Sequence, residues 1–360
     1  MTAPRLPVDF MQQMQSALGT AWPDFLEALE QPPPVSIRLN PGKPGSPYDT
    51  APAIPWHPDG RYLEERPIFT LDPLFHAGAY YVQEASSMLI AAALQQVLNF
   101  DRPLKALDLC GAPGGKSTLL ASLLPPGSLL LANEVIASRS KILRENLTKW
   151  GQTNTFWSQH DSKDFQPLQG YFDLILIDAP CSGEGLFRKT PDATQEWSLD
   201  HVQHCSLRQK RILGDAYQLL APGGILLYST CTYNEAENSA NAHWLEAQGL
   251  SFQSLTFPSE WGIAEQERGY QCYPHRVKGE GFFFAVFRAP EAARSRSIRV
   301  QAPKNWQKLP KKQLSVLENW VLDYEQYSAY QNSKGALYLI PRLLESSVLE
   351  LKTVLPRLGV

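Results

Sequence analysis

The chain has 360 residues, 43% of them apolar and 19% charged, with 33 Lys and Arg against 36 Asp and Glu for a formal charge of −3. That length exceeds one small module and predicts two or three domains, and the composition lies far from that of disordered chains. A near-neutral chain has no whole-molecule positive field, so any nucleic-acid contact must rest on local patches.

The N-terminus, MTAPRLPVDFMQQMQ, lacks the basic-then-apolar order of a signal peptide, and no run of about 18 apolar residues occurs. Residues 31–58 are dense in proline and glycine, with only Val35 to Leu39 reading as a strand. Residues 1–70 are thus expected to form a small N-terminal α+β unit and linker. After Leu71 helical and strand patterns alternate: a helix from about Glu84 to Leu98, then apolar runs at 105–109, 128–132, 172–177, 224–228 and 282–287. Leu143, Leu147 and Trp150 form a helical stripe closed by Gly151, where a left-handed residue is wanted. The alternation predicts an α/β fold over 71–289, a largely parallel, doubly wound sheet with helices on both faces.

From Phe287 to Lys312 eight cations (Arg288, Arg294, Arg296, Arg299, Lys304, Lys308, Lys311, Lys312) meet one acid, Glu291, a local +7 against −10 elsewhere. With Trp306 among these cations as a stacking platform, the stretch opens a basic C-terminal extension, 290–360, expected to help bind RNA if RNA is the partner.

The segment LDLCGAPGGK, 107–116, places a glycine-rich turn between a buried strand and a helix beginning near Ser117. A triphosphate loop would need glycine where Cys110 stands, so that reading fails by one residue. Glu134, 19 residues after Gly115, ends the next strand, where a carboxylate can hold ribose hydroxyls. Asp161 and Asp178 end two further strands. Carboxylates gathered at one sheet edge suit an adenosine-containing cofactor better than a polyphosphate, which they would repel.

The five cysteines, Cys110, Cys181, Cys205, Cys231 and Cys272, contain no C-x-x-C pair, which argues against structural zinc and against a disulfide framework. Free thiols, no metal and a cytoplasmic setting are expected. Cys181 and Cys231 each follow an apolar strand, in DAPCSG and STCTY, so both should open into the cleft beyond the strands' carboxyl ends. A helix starting near Asn234 and the Lys116 cation are candidates to favour a thiolate there. Tyr233 and Phe187 flank the two motifs and are candidates to stack a base, if the cleft takes one, or simply to pack.

The motifs QEASSM (83–88), LCGAPGGKS (109–117), DAPCSGEG (178–185), STCTYNEAEN (229–238) and GEGFFFA (279–285) closely resemble those of the Sun-type RNA cytosine-5 methyltransferases, with SIRLNP (36–41) resembling the family's upstream segment. The similarity is greatest to the bacterial RsmF-like subgroup acting on small-subunit ribosomal RNA, whose members usually continue into a fuller C-terminal RNA-binding domain. The resemblance implies a Rossmann-like methyltransferase sheet and S-adenosylmethionine as methyl donor. It assigns the cofactor to the residues matching Cys110, Gly111, Ala112, Pro113, Gly114, Gly115 and Lys116, with Glu134 on the ribose, Asp161 near the adenine and Asp178 beside the methionine part and the target base. It makes Cys231 the nucleophile and Cys181 the residue that assists release. The expected partner is RNA, ribosomal first, met by a monomer with no membrane contact. Transfer RNA as substrate, a non-catalytic RNA-binding assembly factor and a nucleotide triphosphatase are the alternatives.

Overall fold

Residues 6–292, 298, 300 and 306–359 are described by the structure, a computed structural model, with the backbone alone at Lys311, Lys312 and Val316. The chain opens with two helices, Val8–Leu18 and Trp22–Glu30, and a four-stranded antiparallel sheet of β1 (Val35–Leu39), β2 (Ala53–Ile54), β3 (His57–Leu63) and β4 (Tyr80–Tyr81) in the order β2-β3-β1-β4. The strand expected at Val35–Leu39 is found there. The expected boundary at residue 70 falls inside this unit, because β4 pairs with β1.

Five parallel strands form the centre of the main sheet: β5 (Lys105–Asp108), β6 (Leu129–Asn133), β7 (Thr155–Ser158), β8 (Phe172–Asp178) and β9 (Leu220–Thr230). Their order is β9-β8-β5-β6-β7, so the connections reverse direction at β5, and the crevice beyond the β5 and β8 carboxyl ends is where such sheets bind ligands. Alternate residues feed opposite cores. Leu107, Leu131, Ile175 and Ile177 pack with the helices Leu199–Ala216 and Ser239–Ala247, whereas Ala106, Leu130, Leu174 and Leu176 pack with Leu89–Val97 and Gly115–Leu123.

The margins are antiparallel, unlike the expectation for the run at 282–287. After β10 (Ser251–Phe252), β11 (Ala264–Gln266) and β12 (Gly269–Cys272), the strand β13 (Phe282–Arg288) runs antiparallel to both β12 and β9. Only residues 273–281 link β12 to β13, too few for the helical crossover a parallel neighbour requires. The helix expected from Glu84 begins only at Leu89, after a 3-10 turn. The Glu84 carboxylate accepts from the N–H groups of Ser86, Ser87 and Glu280, fixing this stretch to the loop before β13.

The C-terminal part carries a small sheet of β14 (Trp306–Lys308), β15 (Tyr327–Asn332) and β16 (Leu337–Pro341), then a helix, Glu345–Val354. It is built into the main domain: Val348, Leu351 and Leu355 join the core, and β17 (Leu358–Gly359) adds to the β7 edge. Of the basic stretch, Arg294, Arg296, Arg299 and Lys304 lie outside the described residues. Arg288 donates to the Gly223 and Val97 carbonyls, Lys308 pairs with Glu345, and Trp306 stacks on Tyr338, so these are not residues of a free linker. Among the described residues no helix is long and apolar enough to cross a membrane.

Arg38 joins the N-terminal unit to the glycine turn. Fully buried, its guanidinium donates to Gln83 Oε1 (2.9 Å), Thr118 Oγ1 (2.6 Å) and the Gly115 carbonyl (3.3 Å), and lies 4.3 Å from the Trp150 ring centroid. Arg38→Ala would leave these acceptors unpaired around a cavity and is expected to lower stability by about 3 kcal/mol. The check is the urea midpoint at unchanged slope; an unshifted midpoint would show that the guanidinium does not hold the unit in place.

Candidate active site

The carboxyl ends of β5, β6, β7, β8 and β9 surround one cavity, lined among others by Cys110, Glu134, Asp161, Asp178, Cys181 and Cys231. The carboxylates and thiols singled out from the sequence therefore meet in one place. The glycine turn packs closely against its surroundings. A Cβ on Gly111 would stand 2.8 Å from Ser117 Oγ, and Gly114 has φ +119°. Ala112 is buried, Pro113 is exposed at the tip, and Gly115 starts the helix.

Glu134 is almost fully buried. Its Oε1 accepts from the Ile136 N–H at 2.9 Å, while Oε2 has no hydrogen-bond donor among the described residues and lies 3.3 Å from Arg139 Nη1. Asp161 accepts from Arg211 Nη1 at 2.8 Å. Partial burial opposes its charge, but Arg211 and the Lys163 N–H hold its carboxyl below the usual range. Asp108, ending β5, accepts from Ser117 Oγ at 2.6 Å while its Oδ1 has no hydrogen-bond partner among the described residues, and burial pushes its carboxyl up to about 7.

Asp178 accepts from Ser229 Oγ (2.9 Å) and from the Lys116 ammonium (2.7 Å). Burial works against the Lys116 charge, but Asp178 outweighs it and keeps the ammonium's pKa above its ordinary value. Lys116 is thus the partner of Asp178. The helix expected near Asn234 begins at Ser239, so its N-terminus lies eight residues beyond Cys231 in the chain.

Cys181 Sγ and Cys231 Sγ are 3.2 Å apart. The hydrogen bond to Cys231 and burial push the Cys181 thiol well above its ordinary value. Two like charges at this distance cannot coexist, so the pair holds at least one proton.

Two glutamates hold the thiol loops to each other. Glu184, from the Cys181 loop, is 1% exposed, and its carboxylate accepts from the N–H groups of Tyr233 (2.8 Å) and Asn234 (3.0 Å) in the Cys231 loop, from Thr232 Oγ1, from Asn234 Nδ2 (2.9 Å) and from Trp197 Nε1 (3.0 Å). Glu237, from the Cys231 loop, accepts in return from the Ser182 N–H (3.0 Å), Gln209 Nε2 (2.6 Å) and Asn234 Nδ2 (2.7 Å). The hydrogen bonds thus run in both directions between the loops. Beneath them Phe187 and Tyr233 are buried among Phe10, Phe25, Trp197 and Tyr273, so both pack against the N-terminal helices and neither is available to stack a base.

Glu184, Glu237, Asp108, Arg139 and Arg211 belong to the site without standing out in the sequence. Glu184 and Glu237 lie inside the two thiol motifs, and an acid three or six residues from a proposed thiol was the available signal.

A doubly wound sheet with a glycine turn after its first central strand and acids past the following ones defines the class of Rossmann-like S-adenosylmethionine-dependent methyltransferases. Within that class, the family model of 16S rRNA methyltransferase RsmB/F matches residues 95–288, and that of the N-terminal domain of 16S rRNA methyltransferase RsmF matches residues 6–85. The chain belongs to the RsmB/F family. It is 37% identical over 306 residues to ribosomal RNA small subunit methyltransferase F of Cronobacter sakazakii, covering 79% of this chain and 63% of that protein. Against the same enzyme of Pectobacterium atrosepticum it is 36% identical, covering 80% and 63%. A methyltransferase homologue from Pyrococcus horikoshii superposes with a TM-score of 0.63 at 27% identity, over 79% of this chain and all of that one. The chain therefore spans about 63% of the length of the curated relatives it matches.

Glu184→Gln would turn an amide N–H₂ toward hydrogen-bond donors. It is expected to cost about 3 kcal/mol of stability and to loosen the thiol pair. Denaturant unfolding measures the first, and the rate of peroxide-driven Cys181–Cys231 disulfide formation, expected to fall, measures the second; wild-type behaviour in both would show that Glu184 does not hold the loop.

Proposed function

We propose that the protein methylates carbon 5 of a cytosine in RNA, with small-subunit ribosomal RNA as substrate and S-adenosylmethionine as donor, acting as a monomer in the cytoplasm. The observation that carries this reading is the 3.2 Å thiol pair opening into the same cavity as Glu134, Asp161 and Asp178. The residues fit the cofactor: Glu134 Oε2, beside Arg139, is a buried acceptor with no hydrogen-bond donor among the described residues, which ribose hydroxyls would supply; Asp161 lines the same cavity, for the adenine; and of the glycine turn Cys110 lines the cavity while Lys116 holds Asp178. Bound there, S-adenosylmethionine supplies an electrophilic methyl group.

Carbon 5 of cytosine is too weak a nucleophile to take that methyl unaided. Cys231, as thiolate beside the Cys181 thiol, adds to carbon 6, forming an S–C bond and giving carbon 5 enamine character. Asp178 holds the Lys116 ammonium at 2.7 Å, and that positive charge stabilises the negative charge developing at ring nitrogen 3. Once the Cys231 sulfur is a thioether, the charge that held the Cys181 proton is gone, and Cys181 can release it to water. After carbon 5 has taken the methyl group, the Cys181 thiolate takes the carbon-5 proton, the S–C bond breaks, and Cys231 leaves as the thiolate. The pair is back at one shared proton.

Transfer RNA remains the second substrate class, since nothing in the thiol pair itself distinguishes RNAs. A scaffold role without catalysis has no need of the shared-proton pair, and a triphosphatase is disfavoured by Cys110 and by the acids of the cavity. The test is incubation with methyl-labelled S-adenosylmethionine and, separately, small-subunit ribosomal RNA, assembled small subunits and transfer RNA, followed by bisulfite mapping. One or a few 5-methylcytosines in the ribosomal RNA are expected; label only in transfer RNA, or none in any RNA, would overturn the reading.

A further inference from the structure

The C-terminal part creates a second cleft against the methyltransferase sheet, with a volume of ≈ 790 Å³. One wall carries Arg144 and Trp157, from the helix Ala137–Trp150 and from β7; the other carries Trp306, Tyr338, Lys352 and Arg357. Among the described residues no carboxylate lines it, and neither Arg144 nor Arg357 has one within ion-pair distance. This sets it apart in a chain whose acids outnumber its Lys and Arg.

The rings and cations are ordered against one another. Trp306 stacks on Tyr338 with centroids 5.2 Å apart and planes 18° from parallel. The Lys352 ammonium lies 5.0 Å from the Trp306 centroid, anchored by the Pro356 and Leu358 carbonyls at 2.8 and 2.9 Å. The Arg144 guanidinium lies 5.5 Å from the Trp157 centroid. Gly359 packs so closely on Trp157 that a Cβ there would come within 2.1 Å of the indole.

The cleft also adjoins the proposed cofactor cavity. Gln159 lines the cleft, whereas the next two residues, His160 and Asp161, line the cavity. The Arg357 N–H donates to His160 Nε2 at 3.1 Å, making His160 the partition between them. A strand leaving the thiols and crossing the proposed adenine end would arrive here.

Planar faces flanked by guanidinium and ammonium groups, with no acid, match a ligand that combines an aromatic base with a phosphate. We propose that this cleft binds a nucleotide of the single-stranded RNA substrate, remote from the target cytosine, by stacking its base and pairing its phosphates with Arg144 and Arg357. The proposal rests on the RNA methyltransferase reading. An acidic peptide would use the cations but not the rings, so the nucleotide is the better match.

The test measures binding of a short oligouridylate to the full chain across a salt series, with S-adenosylmethionine affinity followed in parallel. Arg144→Glu/Arg357→Glu is expected to weaken RNA binding about tenfold and to lower the salt slope by about 1.4, as for two phosphates of a single strand. Trp306→Leu is expected to weaken it by about tenfold through lost stacking, with the slope kept. Cofactor affinity and melting temperature should stay at wild-type values in the arginine pair, whose side chains are exposed. Unchanged RNA affinity in that pair overturns the proposal while methylation by the wild type leaves the function standing; a wild type that neither binds nor methylates RNA overturns both. Equal affinity for an abasic ribose-phosphate oligomer rules out stacking, and binding of AMP or polyglutamate that oligouridylate cannot displace would mark the cleft as a site for something other than the substrate strand.

Discussion

Two sulfur atoms 3.2 Å apart can carry one negative charge but not two, and the chemistry proposed here follows from that restriction. In the proposed reaction Cys181 keeps the proton and cannot compete as nucleophile in the resting state, and it becomes a base only after Cys231 has given up its charge in a covalent bond. One distance thus separates two roles that identical side chains could not otherwise divide. Asp178 and Lys116 form an ion pair at the neighbouring strand end, so the proposed nucleophile and the pair proposed to answer the charge it creates lie close together.

Holding two thiols at that distance requires fixing two loops that come from different strands. Glu184 and Glu237 do so with hydrogen bonds running in both directions, buried where water cannot replace them. The aromatic layer of Phe10, Phe25, Phe187, Tyr233 and Tyr273 supports the same loops from below, so the N-terminal helices are part of the active-site scaffold. Arg38 does the equivalent for the cofactor turn.

The central strands and the gathering of Glu134, Asp161, Asp178, Cys181 and Cys231 were legible in the sequence because apolar runs mark strands and parallel sheets collect functional residues at their carboxyl ends. Strand direction at the margins was not, since an apolar run such as FFFAVF reads the same either way and direction depends on connection length. The helix after Cys231 begins five residues later than the spacing suggests, because Glu184 captures the N–H groups of Tyr233 and Asn234 from 49 and 50 residues away. Local spacing contains no sign of such a contact. For the same reason Phe187 and Tyr233 could not be told apart from base-stacking residues until Phe10 and Phe25 were found packed on them, and a charged side chain inside β1 gave no sign that Arg38 would be fully buried.

The division of labour between the thiols is open to one direct measurement. Cys181→Ala and Cys231→Ala, each mixed with substrate RNA and S-adenosylmethionine, are resolved on a denaturing gel. Cys181→Ala should accumulate a protein–RNA adduct that survives denaturation, because nothing removes the carbon-5 proton, and Cys231→Ala should form none. Turnover by Cys231→Ala, or the absence of any adduct with Cys181→Ala, would contradict the account.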